Sequence, residues 1–373
     1  MKNKSIIFLL IAFFFIFAGF DSSQQYLSSI FHTKNFEMVS FIALSILYIS
    51  AIPSNILAPG ICRKFGLKKS LFFASLAYPL FIITIVLGSE ILLYISSCVV
   101  GIASSIFWVS HGTYFTKSVT KKNQGFYSGL SFSLLVVGSS ITVFFMSFFV
   151  EHFSYTKIYF VLFILACLGS LSILFISNID SVEKHTIHPS KLIKNKSMLL
   201  FSCFIFSNFF IVGSMISRIP IRITDLFGLS YVGKIISIFG ITIAILTILI
   251  GRLSDRNGRR KFFYISILSA ILGFIIILTS ESVLSFSVGI FFLGFAHSSF
   301  LAIQYPVLYS LFEKEIDSAM AVKGIFTCFG FILPLILSMF FGFHLIVTIG
   351  IIFSVFSLLA VNKLFSIESE KIK

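Results

Sequence analysis

Apolar residues run along this chain in blocks long enough to cross a bilayer, about 20 residues each, and short polar or basic segments separate them. The first block, Ile6 to Phe20 behind Lys2 and Lys4, has the outline of a secretory signal, with Ala18 and Gly19 as small residues near a cleavage point. The polar stretch Asp21 to Gln25 that follows reads instead as helix continuing past the apolar run. Further spans are predicted at about 37–58, 70–88, 91–116, 124–149 and 158–177. Residues 178–197 then form the longest polar stretch, with Pro189 and four lysines, almost at the midpoint. Six more runs follow, at about 198–217 with a continuation to 224, and at 231–250, 262–280, 283–311, 321–341 and 343–362. The pattern predicts an all-α membrane protein of twelve transmembrane helices in two six-helix bundles, 1–177 and 198–373, joined by a linker at 178–197.

Composition agrees and narrows the function classes. Of 373 residues, 57% are hydrophobic and only 11% charged, with 50 phenylalanines, whereas soluble domains run near a quarter charged. Twelve spans use most of the chain and leave no room for a soluble catalytic or nucleotide-binding module. The formal charge of +14 maps onto the loops. With the N-terminus cytoplasmic, 23 of the 28 Lys and Arg residues fall inside, Lys314 and Lys323 among them, and five fall outside: Lys34, Lys157, Arg218, Arg222 and Lys234. Positive-inside bias then predicts a multi-pass plasma-membrane protein with both termini cytoplasmic. It also removes nucleic acid as a partner, because the basic residues are dispersed without an aromatic stacking platform. The five cysteines lie in apolar runs without metal-ligand spacing and read as small core residues.

The halves resemble each other. Gly101-Ile102-Ala103-Ser104-Ser105-Ile106-Phe107 parallels Gly294-Phe295-Ala296-His297-Ser298-Ser299-Phe300, and Gly66 parallels Gly258 at nearly the same separation. The strongest local motif is GRLSDRNGRRK, Gly251 to Lys261. Positive-inside statistics explain its basic residues but not Asp255 or the two glycines. The motif resembles the signature of the major facilitator superfamily between the second and third helices of each half. That resemblance implies a cytoplasmic charge motif at Gly251, Asp255, Arg256, Gly258, Arg259 and Arg260 that favours the outward-open state. FGLSYVG, Phe227 to Gly233, is similar to the same superfamily's entry into the eighth helix. In the first half, PGICRKFGLKK puts Arg63 where the acidic residue belongs. The segments GFDSSQQYLSS, LYISAIPSNILAPGICRKFG and GIASSIFWVSHGTYFTKS resemble the Unc-ninety-three family, a branch of the same fold, with His111 where that branch has Gln. The best-known members of that branch act as channel regulators or trafficking partners.

Ionisable and amide groups inside spans are costly and usually face a cavity. Asp21 and Gln25 in helix 1, His111 in helix 4, Arg218 and Arg222 in helix 7, and His297 and Gln304 in helix 10 are the candidates. The resemblance implies that helices 1, 4, 7 and 10 line the central cavity. Asp21 reads either as a binding or gating group, paired with Arg218 or Arg222, or as the outer end of a short helix 1. The two arginines alternatively reach the outer headgroups, and His111 alternatively packs in the core. No cofactor is expected beyond a coupled proton or sodium ion. The favoured function is secondary transport of a small organic solute by alternating access. The alternative is a non-transporting regulator or escort of another membrane protein. An enzyme is disfavoured by the lack of a nucleophile elbow, phosphate loop or metal-ligand pair.

Overall fold

The computed structural model describes residues 2–33, 36–118, 124–178 and 189–368; residues 179–188 of the expected linker lie outside them. Among the described residues twelve helices are long and apolar enough to cross a membrane. In chain order they are α1 (Ser5–Thr33), α2 (Glu37–Phe65), α3 (Leu67–Leu87), α4 (Glu90–Phe115), α5 (Leu130–Phe149), α6 (Tyr155–Phe175), α7 (Lys196–Phe227), α8 (Ser230–Asn257), α9 (Arg260–Thr279), α10 (Val283–Phe312), α11 (Ser318–Phe340) and α12 (Phe343–Ile367). Helices dominate because lipid offers no partner for a backbone N–H or C=O, so each segment must satisfy its own. Serine and threonine side chains follow the same rule by bonding back one turn, as Ser23 does to the Phe20 carbonyl at 2.7 Å and Thr84 to that of Phe81 at 2.7 Å.

Short connections make successive helices antiparallel, so every odd helix starts on one face and every even helix ends there. Three contacts mark that face. Ser5 and Ser177 hydroxyls meet at 2.9 Å, the Tyr264 hydroxyl donates to Asn362 at 2.6 Å, and the Arg260 guanidinium lies 5.1 Å from the Phe365 ring centroid. This face carries Arg252, Arg256, Arg259, Arg260 and Lys261, and is called the basic face below.

Each half packs in the same way. Helix α1 packs on α5 and α6, α2 on α4, and α3 on α4 and α6; in the second half α7 packs on α11 and α12, α8 on α10, and α9 on α10 and α12. The two extensive contacts between halves, α5 with α8 and α2 with α11, are images of one another under the same exchange. Backbone details repeat too. Gly66 and Gly258 end α2 and α8 with φ/ψ of 84°/151° and 80°/149°, positive-φ conformations that strain any other residue. A Cβ at Gly101 would strike the Leu47 carbonyl and the Ser50 hydroxyl of α2. At Gly294 it would sit 2.9 Å from the Phe239 carbonyl of α8, the equivalent contact.

Helix α1 runs unbroken to Thr33, well past the apolar block, so Asp21 to Gln25 are interior to it. Helix α7 breaks at Ile216 and Ser217 into Lys196–Met215 and Arg218–Phe227. Pro220 explains the position, because its ring excludes the carbonyl four residues back, which is that of Ile216. Among the cysteines, Cys62 and Cys328 are buried but Cys203 is exposed on the lipid-facing surface, so the reading of all five as core residues fails there.

The tightest seam between halves is a testable feature. A Cβ at Gly233 of α8 would collide with the Val143 carbonyl of α5 and the Tyr26 hydroxyl of α1. Gly233→Val is expected to cost about 1–3 kcal/mol through overpacking, read as a lower thermal-unfolding midpoint in detergent. Gly60→Ala, at a position with nothing within 4 Å, should leave that midpoint unchanged.

Candidate functional site

A cavity of about 250 Å³ lies between the halves, lined from α1, α2, α3, α4, α5, α7, α8, α10 and α11. It is near the lower end of the range for small-molecule sites, about 300–1,000 Å³. Its walls are largely aromatic: the Trp108 and Phe132 rings stack at 6.3 Å, Tyr48 and Phe331 at 4.2 Å and 5° between planes, and Phe239 on His297 at 6.0 Å. Phe132 of α5 and Tyr305 of α10, with ring centroids 5.3 Å apart, join the halves across the cavity wall.

Four of the seven sequence candidates line this cavity: Asp21, Gln25, His297 and Gln304. Among the described residues the Asp21 carboxylate has no hydrogen-bond or ion-pair partner; it lies within electrostatic reach of the Tyr48 and Tyr78 hydroxyls. One turn on, Gln24 accepts from the Tyr48 hydroxyl at 3.0 Å. Gln304 is completely buried, yet neither its Nε2 nor its Oε1 has a partner, and the Nδ1 of His297 is also unpaired. Buried polar atoms are seldom left so. Their convergence on one cavity marks a place built for something that bonds to them.

The other three candidates are elsewhere. His111 is buried outside the cavity lining, its ring 4.1 Å from that of Phe13 and its Nε2 3.5 Å from the Ser131 hydroxyl, so it belongs to the aromatic core of the first half. Arg218 donates to the Ser338 carbonyl and lies 5.3 Å from the Phe41 ring centroid, and Arg222 lies 5.6 Å from that of Phe343. Neither is paired with Asp21: the piece of helix beyond the break in α7 packs on α1, α8 and α12. Arg218 instead belongs to a latch on the face opposite the basic one. There the His32 Nε2 meets Asp225 at 3.0 Å, joining α1 to α7, and its Nδ1 lies 3.5 Å from Glu37. Glu37 and Asp225 both lie within electrostatic reach of Arg218.

Sequence reasoning missed the cavity's second charged residue, Lys323. Lys323, counted with the loops of the basic face, lies inside α11, whose helix begins at Ile316, and lines the cavity. Its ammonium is 5.2 Å from the Tyr305 ring centroid and 5.7 Å from that of Phe209, and it lies within electrostatic reach of His297 and His111. Its signal was present: a lysine two residues into an apolar run is a candidate for an interior charge as well as for a loop.

The motif on the basic face fixes the turn between α8 and α9. Gly251 is buried, Asp255 and Arg256 are exposed, Arg259 Nη1 donates to the Pro306 carbonyl of α10 at 3.2 Å, and Arg260 covers Phe365 of α12. Burial draws Arg259 below the usual guanidinium range while neighbouring Asp255 opposes that shift. The motif thus ties four helices of one bundle, α8, α9, α10 and α12, at their basic ends.

Against known proteins, the family model described as the Major Facilitator Superfamily matches residues 5–233 and 219–373. The chain belongs to the major facilitator superfamily. Over 138 residues, 36% of its length, it is 30% identical to UNC93-like protein MFSD11 of Xenopus tropicalis, and over 114 residues, 31% of its length, 29% identical to UNC93-like protein 3 of Arabidopsis thaliana. It spans 31% and 24% of those two relatives, respectively. A crystal structure of a mutant of the nucleoside transporter NupG superposes with a TM-score of 0.71 over 97% of this chain and 99% of that one, at 16% identity, so it shares the fold of this facilitator protein.

The orphan amide yields a test that needs no ligand. Gln304→Leu removes two unsatisfied buried atoms and is expected to leave the ligand-free protein as stable or more so. Asn208→Leu deletes a buried amide that donates to the Phe204 carbonyl at 3.1 Å and accepts from Ser266 at 3.4 Å. Its expected cost is about 1–3 kcal/mol, and thermal unfolding in detergent compares the two.

Proposed function

We propose that this facilitator protein moves a small organic solute across the plasma membrane by alternating access, its two bundles rocking about the central cavity with the basic face cytoplasmic. The observation that carries this reading is the cavity itself. It is shared by both halves and holds an unpaired carboxylate, an ammonium and an orphan amide, a polar constellation that a purely structural scaffold has no reason to retain. With Lys323 moved from the loops to the cavity, 22 of the 28 basic residues remain on one set of loops and chain ends, which supports the orientation. The nucleoside transporter NupG, with the same fold, is an example of a carrier built on it.

The latch supplies the closing element on the extracellular side. His32, Asp225, Glu37 and Arg218 bring α1, α2 and α7 together there, while the seams of α5 with α8 and of α2 with α11 act as the surfaces over which the bundles roll. A second reading, a non-transporting regulator of another membrane protein, draws on Arg63, which stands in the first half where the superfamily signature is acidic.

Purified protein in liposomes decides between them. At least one member of a broad panel of amino acids, nucleosides, sugars and organic acids is expected to raise the unfolding midpoint and to show counterflow; a panel giving neither result favours the regulator. In a cysteine-depleted background, His32→Cys with Asp225→Cys should be bridged by a short bis-methanethiosulfonate. Flux should then stop, and a reductant should restore it.

A further inference from the structure

Asp21 and Lys323 are opposite charges on opposite bundles, both facing one cavity, and they do not neutralise each other. Their relative depth follows from the contacts. The Gln24–Tyr48 hydrogen bond and the Tyr48–Phe331 stack set a common level across α1, α2 and α11. Asp21 lies three residues from that level toward the basic face, and Lys323 lies eight. At 1.5 Å per residue the two backbones differ in depth by roughly 7–8 Å, and among the described residues no ion pair joins the two side chains.

Two poles result. Asp21 lies near the hydroxyls of Tyr48 and Tyr78, and Lys323 near His297 and the Tyr305 ring, with Gln304 in the lining of the same cavity. Between them the wall is aromatic. A lone cation in the cavity would satisfy Asp21 and leave Lys323 repelled, a lone anion would do the reverse, and an uncharged polyol would neutralise neither. A molecule carrying both charges satisfies both. In an α-amino acid the amine nitrogen and carboxyl carbon are about 2.5 Å apart. A charge-assisted contact of about 2.7–2.9 Å at each end then lets one small molecule meet both side-chain charges.

We infer that the cavity binds a small zwitterion of the α-amino-acid type with an apolar or aromatic side chain, its ammonium on Asp21, its carboxylate on Lys323 and its side chain against the aromatic wall. This rests on the transport reading for its physiological use but not for its test. Because Asp21 belongs to α1 and Lys323 to α11, such a solute links the two bundles through itself, and the cavity is electrostatically complete only when occupied. Gln304, with neither amide atom paired, is placed to bond the carboxylate or an ordered water beside it.

The full-length protein in detergent is titrated with L-phenylalanine, L-leucine and L-tryptophan. Each is compared with the amine that lacks the carboxylate (phenethylamine, isopentylamine, tryptamine) and the acid that lacks the ammonium (3-phenylpropionate, 4-methylpentanoate, indole-3-propionate). At least one zwitterion is expected to bind about tenfold to a hundredfold more tightly than either analogue. Asp21→Asn should abolish the preference over the matching acid while keeping that over the amine, and Lys323→Gln should do the opposite. Each preference is a ratio within one variant, so a reduced folded fraction cancels. Asp21→Glu and Lys323→Arg should retain part of both preferences. Equal binding of zwitterion and analogues to the unmodified protein, no binding of any of the three zwitterions, or variants that weaken all ligands alike would overturn the inference. Counterflow of an uncharged solute without zwitterion binding would sink this inference and leave transport standing; zwitterion binding without flux of any solute would do the reverse.

Discussion

Lipid supplies no hydrogen bonds, and nearly every feature of this protein answers to that constraint. It forces the chain into helices, drives serine hydroxyls back onto their own backbones, confines the breaks to positions that proline dictates, and makes any polar atom left over inside the bundle expensive. A carboxylate, an ammonium, an amide and an imidazole line one space between the halves, whereas the buried amide of Asn208 is tied to the Phe204 carbonyl and to Ser266.

The repeat decides where that space lies. Two bundles with the same internal packing meet through α2 with α11 and α5 with α8, and the exchange that superposes one bundle on the other converts each seam into its counterpart. A cavity on that axis is necessarily walled by both halves, so a group such as Asp21 faces residues of the opposite bundle without any special arrangement. Small residues along the seams, Gly233 among them, let backbones approach to contact and leave little tolerance for larger side chains.

Much of this was legible in the sequence, for definable reasons. Apolar blocks of about 20 residues give the spans directly, and the signature around Asp255 gives the superfamily. Asp21, Gln25, His297 and Gln304 were recognisable because polar groups deep in apolar runs stand out. Rotation about a helix axis is what the chain does not spell out. His111 and Trp108 are three residues apart on α4, yet only Trp108 lines the cavity. The pairing of Arg218 or Arg222 with Asp21 is not found, because both lie beyond the break at Ile216 and Ser217, beside Phe41, Ser338 and Phe343. Lys323 was overlooked for the converse reason. It stands beside a loop on the basic face, where orientation statistics absorb a lysine without remainder, and only the start of its helix at Ile316 places it inside.

The break in α7 gives that helix two mechanical parts. Ile216, at the joint, is itself part of the cavity wall, and the short segment beyond it carries Arg218 at one end and Asp225 near the other. The cavity wall and the segment that carries the latch are therefore adjacent in the chain, separated only by the break itself.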